Sequence, residues 1–326
     1  MKNVTIRQLR VFAEVARHLS FARAAATLHL TPPAVTMQIK ELESQVGLPV
    51  FDRQGRQVAL TTVGEYLLAY VRRMLALLKD AEDAVARFKG LQGGSLSVGM
   101  VSTAEYFVPR LLARFRAEHP AVDVHLRLGN REQLVQLMQR NEVDLAIMGR
   151  PPKEWATRAE PFAMHPHVLV TAPNHPFTRL DHVPAQALAN EGFIVRESGS
   201  GTRAALEEYM REHHLDMRIV MEMSSNESIK QAVMAGMGVS LLSEHTIALE
   251  VKLGLIATPE VEGLPVVRRW HVVNNLAKTL SPAAEALRYF VLEQGEAELA
   301  SIFGGDPAPA KRPRKAQRTT ARPRPS

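Results

Sequence analysis

Apolar positions recur at three- and four-residue steps from the start of the chain. Ile6, Leu9, Phe12, Val15 and Ala16 predict an amphipathic helix. Ser20 suits the N-cap of a second, alanine-rich helix starting at Phe21, and Leu28-His29-Leu30 makes a tight connection after it. Thr31 caps a third helix from about 32 to 46, with Pro32 and Pro33 in the first turn, where a missing N–H costs nothing. Val35, Ile39, Leu42 and Val46 form its apolar stripe, while Pro33, Thr36, Met37 and Lys40 look outward from its first half. Three short helices with a sharp turn before the last predict a helix-turn-helix, the arrangement that places a helix N-terminus in the major groove of DNA.

Between Pro49 and Thr61, two short extended pieces flank a turn at Gly55, with Arg53 and Arg56 near its tip. This is a predicted wing, able to reach phosphates or the minor groove. From 62 to about 89 the pattern is one long helix. Leu67, Val71, Met74, Leu78, Ala81, Val85 and Phe88 alternate steps of four and three, a heptad seam that predicts pairing with a second copy. A stripe packed on its own domain is the alternative. Pairing fits the module before it, since helix-turn-helix dimers read half-sites about 34–36 Å apart.

After Gln92-Gly93-Gly94 the period changes. Segments 96–101, 122–128, 143–148, 168–171, 193–195, 219–223 and 239–242 read as strands, and 106–118, 132–140, 203–213 and 228–237 as helices. Such alternation implies parallel sheets with ligand crevices at the carboxyl ends of the strands. A return strand at 267–273 and a helix at 283–299 would bring the chain back onto the first lobe. The resulting division is 1–61, a winged module; 62–91, a dimerising helix; 92–303, a ligand-binding unit; and 304–326, a basic tail. Within the unit the first lobe takes about 94–165 with 269–303, and the second about 166–268.

Charge sharpens this division. Residues 1–93 carry 13 Lys and Arg against 8 Asp and Glu, residues 94–303 carry 20 against 25, and the tail from 304 carries 7 against 1. A basic N-terminal module gains affinity by neutralising phosphates, whereas an acidic middle is not built to lie on a polyanion. The tail mixes Pro, Ala, Arg and Lys with almost no apolar bulk, a composition expected to stay disordered. The chain has no cysteine, which excludes disulfide and thiol chemistry. No apolar run reaches the roughly 18–20 residues of a membrane span, and the N-terminus shows no secretory signal, so a cytoplasmic location without membrane attachment is expected.

Candidate ligand contacts sit where strands hand over to helices. Ser102 and Thr103 follow the first strand, Asn130 and Arg131 the second, and Gly149 and Arg150 the third. Ser200, Gly201, Thr202 and Arg203 open a helix of the second lobe, and Asn226 opens another. Each Ser or Thr has a simpler role as a helix cap. Three arginines converging at such loops nevertheless predict an anionic effector, phosphorylated ones included. Enzyme signatures are missing: the glycines around Ser200 are one residue away rather than two, and there is no Walker or dinucleotide fingerprint. His165-Pro166-His167 and His213-His214 lack carboxylate or cysteine partners at metal spacing.

The run from Leu9 to Glu65, with Ser20-Phe21-Ala22-Arg23-Ala24-Ala25, Leu28-His29-Leu30-Thr31-Pro32-Pro33-Ala34-Val35-Thr36 and Leu60-Thr61-Thr62-Val63-Gly64-Glu65, resembles the signature of the LysR-type transcriptional regulators. The resemblance implies an N-terminal winged helix-turn-helix, a long linker helix and a two-lobed effector domain like the type 2 periplasmic binding proteins. It places Pro32, Pro33, Thr36 and Met37 at base-reading positions and Arg53 and Arg56 on the wing, with Ser20, Thr31 and Lys40 completing the expected DNA-binding set. Many members carry Gln at the position of Pro32 and a polar residue at that of Met37, which shifts readout here toward Thr36, thymine methyls and DNA shape. Met100-Val101-Ser102-Thr103-Ala104-Glu105-Tyr106-Phe107, Asn130-Arg131-Glu132 and Arg196-Glu197-Ser198-Gly199-Ser200-Gly201-Thr202-Arg203 resemble the CbbR branch in particular. That branch implies control of carbon-fixation genes by phosphorylated metabolites or NADPH, acting as homodimers or tetramers on promoter DNA with RNA polymerase. A regulator of another operon answering to an aromatic or organic acid, and a solute-binding protein that only shares the two-lobed fold, stay open as alternatives.

Overall fold

The computed structural model describes residues 3–54, 57–88 and 94–304. The N-terminal module begins with α1 (Ile6–His18), α2 (Phe21–Thr27) and α3 (Pro32–Val46). Thr5 and Gln8 form a reciprocal capping box on α1, and the Ser20 and Thr31 side chains accept from the backbone N–H of Arg23 and Ala34. Capping at each turn satisfies donors that a helix start leaves unpaired. Phe12, Val15, Ala24, Val35, Ile39 and Leu42 are buried together where the three helices meet.

The wing is an antiparallel hairpin of β1 (Phe51–Gln54) and β2 (Gln57–Leu60), pairing Phe51 with Leu60. The Glu43 carboxylate at the end of α3 accepts from the Val50 backbone N–H at 3.0 Å, tying wing to helix. Immediately after the wing, α4 (Thr62–Phe88) runs for 27 residues. Gly64 lets its first turn press on the wing, because a Cβ there would fall 2.0 Å from the Val50 carbonyl oxygen.

The burial of α4 corrects the expected seam. Leu67 and Val71 are buried in the core of the winged module itself. Met74, Ala81 and Val85 are exposed and Leu78 is half-buried, while Tyr66, Tyr70 and Leu77 stand in solvent beside them. The free apolar face thus runs through Tyr66, Tyr70, Met74, Leu77, Ala81 and Val85. The helix serves its own domain with its first turns and leaves the neighbouring stripe uncovered. The Phe88 side chain lies outside the described residues, as do Arg56, the Arg53 side chain, the joint at 92–93 and the tail from 305.

The second unit contains a six-stranded sheet in the order β4-β3-β5-β10-β6-β9. Its strands are β3 (Gly94–Val101), β4 (Val122–Gly129), β5 (Leu145–Met148), β6 (Thr157–Val170), β9 (Ser240–Ser243) and β10 (Val266–Asn275). β3 is parallel to β4 and β5, as the strand-helix alternation predicts. The sheet as a whole is mixed, because the crossing strands add antiparallel pairs to the parallel ones that alternation implies: β10 is antiparallel to both β5 and β6, and β9 to β6. The reason is that the chain leaves the first lobe along β6 and returns beside it along β10. β6 is also much longer than the expected strand at 168–171. A smaller parallel sheet of β7 (Gly192–Arg196) and β8 (Arg218–Met223) completes the second lobe.

Helices α5 (Val108–Glu118) and α6 (Arg131–Gln139) cover the first lobe, and α7 (Gly201–Glu212), α8 (Asn226–Met234) and α9 (Glu244–Lys252) the second. The C-terminal α10 (Pro282–Phe303) packs Leu287, Phe290 and Val291 against Phe115 and Leu111 of α5, so it docks on the first lobe as expected. The predicted helix at 106 starts two residues later, after a short 3-10 turn at Ser102–Ala104. Among the described residues no helix is long and apolar enough to cross a membrane.

Candidate functional site

On α3, Pro32, Pro33, Met37 and Lys40 are exposed and Thr36 is half-buried, a contiguous surface at the N-terminal end of the helix. The Thr36 hydroxyl donates to the Pro32 carbonyl at 3.0 Å, so what it offers outward is a lone pair and a methyl. Ser20 and Thr31 flank this surface as caps, with their side-chain oxygens already accepting backbone N–H groups. The exposed end of a recognition helix carries an unpaired positive dipole end, which complements phosphate.

A crevice lies between the two lobes. Its walls include Ser102, Thr103, Asn130, Arg131, Gly149 and Arg150 from the first lobe and Arg196, Ser200, Gly201 and Thr202 from the second. The crossing strands add His165 and His167 from β6 and Arg268 from β10. The sequence reading therefore located most of the walls and missed the floor. Strands β6, β7 and β10 come together only in the folded chain, so nothing local in sequence marks Arg196, Arg268 or the two histidines as neighbours.

The ion pairs decide which charges are available. Arg196 is buried, with Nε donating to Glu197 at 2.8 Å, Nη1 to Asn226 Oδ1 at 2.6 Å and Nη2 to Ser102 Oγ at 3.1 Å. Arg268 donates to Glu208 at 2.8 Å and to the Gly201 carbonyl at 2.8 Å. Desolvation lowers its pKa, and the nearby charge of Arg150 adds to that shift. Arg131 pairs with Glu154 and donates to the Arg150 carbonyl at 3.0 Å. Arg150 itself has no carboxylate partner among the described residues, and so is the uncompensated cation of the crevice. At its far side the N-cap of α7, Ser200, makes no side-chain capping bond, so the first N–H groups of the helix are left unsatisfied by it.

Two expected contacts are placed elsewhere. Arg203 is clamped by Glu207 and Glu222, which hold its guanidinium charged, and also donates to the Arg196 carbonyl. It lines a separate recess of about 170 Å³ beside the crevice, shared with Arg131 and Arg150. Asn226 is buried behind Arg196 and orients that guanidinium instead of lining the crevice. A helix-opening polar residue was the right signal for its position but not for which neighbour it would serve.

Contacts that join the lobes across the crevice include hydrogen bonds from Arg196 to Ser102, from Asn130 Nδ2 to Glu197 at 3.3 Å and from the Tyr106 hydroxyl to Glu227. With the lobes in this position the crevice encloses about 30 Å³, the room of about two water molecules. Among the described residues no group of three His, Asp or Glu side chains is placed to hold a metal ion.

A winged helix-turn-helix carried on a long helix ahead of a hinged two-lobe crevice defines a class, the transcription regulators that answer to a small molecule. Residues 6–65 match the bacterial regulatory helix-turn-helix proteins of the lysR family, and residues 89–296 match the LysR substrate binding domain. The chain belongs to the LysR family and is a transcriptional regulator, not an enzyme. It is 49% identical over 286 residues to the HTH-type transcriptional regulator CbbR of Rhodospirillum rubrum, covering 88% of this chain and 95% of that protein. It is 44% identical over 292 residues to the RuBisCO operon transcriptional regulator of Allochromatium vinosum, covering 90% and 97%. Among solved structures, the CcmR regulatory domain of Synechocystis PCC6803 in complex with 2-PG is 38% identical, with a TM-score of 0.59 over 62% of this chain and 96% of that one.

Proposed function

We propose that this chain is a cytoplasmic activator of carbon-fixation genes, bound to promoter DNA as a homodimer or a tetramer and controlled by a small phosphorylated metabolite. The observation that carries the effector reading is Arg150, a cation without a carboxylate partner among the described residues, facing the N-terminus of α7 across an otherwise charge-balanced crevice. A guanidinium opposite a helix N-terminus is suited to a phosphate or carboxylate. Similarity to RuBisCO-operon regulators supports the choice of target genes, and the 2-PG complex of a relative supports a small anionic effector.

The enclosed volume bears on effector size. A compact anion needs the lobes to part only slightly, whereas NADPH needs them to open widely. Paired winged modules would read an inverted repeat, with exposed Lys40 and the wing arginines serving phosphates and α3 serving base edges. Dimer formation falls to the uncovered stripe of α4. The division of labour follows the boundaries 1–61, 62–91, 92–303 and 304–326. An effector regulates only if it binds one lobe arrangement better than the other, and contact with RNA polymerase would then follow the altered DNA geometry.

A thermal-shift titration tests this reading. 2-PG at a hundred times its Kd should stabilise the protein by about 2.7 kcal/mol, and Arg150→Ala should remove the shift while leaving DNA binding intact. Stabilisation by aromatic acids alone would place the protein among regulators of another operon. A full response from the Arg150 variant would move the effector site out of the crevice.

A further inference from the structure

The floor of the crevice contains two buried histidines that no ion pair or cap accounts for. His165 and His167 alternate along β6, so both rings project from the same face, with centroids 4.3 Å apart. They are 3% and 1% exposed. His165 stacks on the Trp270 ring at 3.8 Å, and the Trp270 indole N–H is already donated to His245 Nδ1 at 3.1 Å. Neither nitrogen of His165, nor Nδ1 of His167, has a hydrogen-bond partner among the described residues. Buried polar atoms are nearly always met by a protein, water or ligand partner, so these nitrogens are open to a molecule held in the crevice. Gly149 presses on the His165 ring, and a Cβ there would fall 2.5 Å from Nδ1, so the strand end is shaped to keep this imidazole beside the crevice.

The charged groups facing the pair are cations, although Arg268 carries Glu208 as its counter-ion on the far side. Arg268 approaches from β10, His245 from α9, Arg150 from the end of β5, and Arg196 and Arg131 stand across the crevice. Burial is the largest influence on both rings, and Arg268 and His245 push the same way. Backbone groups of His165 and Val266 oppose it at His167 without reversing it. No carboxylate acts on either ring. Both imidazoles are therefore neutral when the crevice holds no anion, with His167 lowered to about 3.

We propose that His165 and His167 contact the effector and select a dianion, taking up a proton from solvent as it binds. The inference rests on the crevice being the effector site. A dianion placed among Arg150, Arg268 and the histidines supplies the counter-charge that buried rings lack and outweighs the neighbouring cations. One imidazole then gains a proton, and each ring donates an N–H to an anionic oxygen. A monoanion such as an aromatic carboxylate offsets less charge and gains less from the pair. Chemically, the ligand class is a small phosphorylated or doubly ionised acid, and the histidines discriminate it from singly charged acids of similar size.

Calorimetric titration of the full-length protein with 2-PG, in two buffers of different ionisation enthalpy, tests the proposal. One proton should be taken up per site near pH 7, and affinity should rise up to tenfold for each pH unit lowered. His165→Gln and His167→Gln keep hydrogen-bonding capacity without titrating. The double variant should lose the uptake, and its affinity should fall as pH drops, because the phosphate itself then becomes protonated. The buffer comparison on the unmodified protein needs no variant, so a folding failure leaves the test intact. Binding without proton uptake, or a pH profile shared with the double variant, overturns the histidine proposal and leaves the effector site standing. Failure of both 2-PG and sulfate to bind removes both.

Discussion

Thr36 shows how a single side chain limits what a recognition helix can read. Its hydroxyl proton is donated to Pro32, the two prolines have no N–H, and Met37 offers only a thioether. Thr36 therefore meets DNA with a lone pair and a methyl, which favours thymine methyl contact and a base amino group. Thr36→Ala should weaken binding to the inverted-repeat operator by about tenfold, in keeping with about 1–3 kcal/mol for one base contact, and leave binding to random DNA within about twofold. Fluorescence anisotropy on both DNAs reads the difference, and equal losses would remove the base-reading role. The caps Ser20 and Thr31 were legible in sequence because a cap depends on residues three positions away. Arg203 was misread for the opposite reason. Glu207, four residues on along α7, was a legible partner, but the second carboxylate, Glu222, sits 19 residues on in β8 and is brought to the guanidinium only by the fold.

At the next level of organisation, α4 and β6 mark where periodicity informs and where it fails. The long helix was plain from its heptad steps, but periodicity cannot say which of two adjacent apolar stripes faces a partner. Leu67 and Val71 lie in the winged module's core, while Tyr66 and Tyr70 are 71% and 61% exposed. Tyr70→Asp should therefore dissociate the dimer while leaving the helix-turn-helix folded. Val71→Asp should instead unfold that module, at a cost of several kcal/mol for a charge in a core. Sedimentation and circular dichroism separate the two, and a Tyr70 variant that remains dimeric at low concentration would place the interface elsewhere. In β6 the signal failed because Pro161 and Pro166 read as strand breakers. They are accommodated because β9 pairs only with His167–Val170, so the earlier part of β6 has β10 alone as a partner.

For the molecule as a whole, the buried histidines set a pH limit. His165, His167, His245 and His271 all have lowered pKa values, chiefly from burial, with His245 near 4 and His167 near 3. Unfolding returns each to about 6.5, so below that pH the unfolded chain binds more protons than the folded one. The contribution is complete above about pH 6.5 and is lost progressively as pH falls toward 4 and below. Melting temperature should be flat between pH 7 and 8 and fall steadily from 6.5 to 4. A melting temperature unchanged down to pH 4 would mean these rings are solvated in the native state. The two-lobe architecture and the return strand at 267–273 were legible from the strand-helix pattern, whereas the full length of β6 and the crevice floor were not, since they depend on pairings about a hundred residues apart.

Those pairings have a consequence for how such proteins diversify. His167 of β6 lies directly opposite Val266 of β10, so the chain enters and leaves the second lobe at neighbouring points of one ladder. Everything from 168 to 265 is, in genetic terms, a single cassette spliced into the first lobe, with both junctions in the same rungs of the sheet. A recombination event or a deliberate graft could exchange that cassette for a relative's without disturbing α10, the linker helix or the DNA-reading module. One half of the crevice wall would change while the DNA-reading module stayed the same. The junctions fall beside His167 and Arg268, so a chimera would inherit the floor of the crevice from one parent and the wall built by α7 from the other.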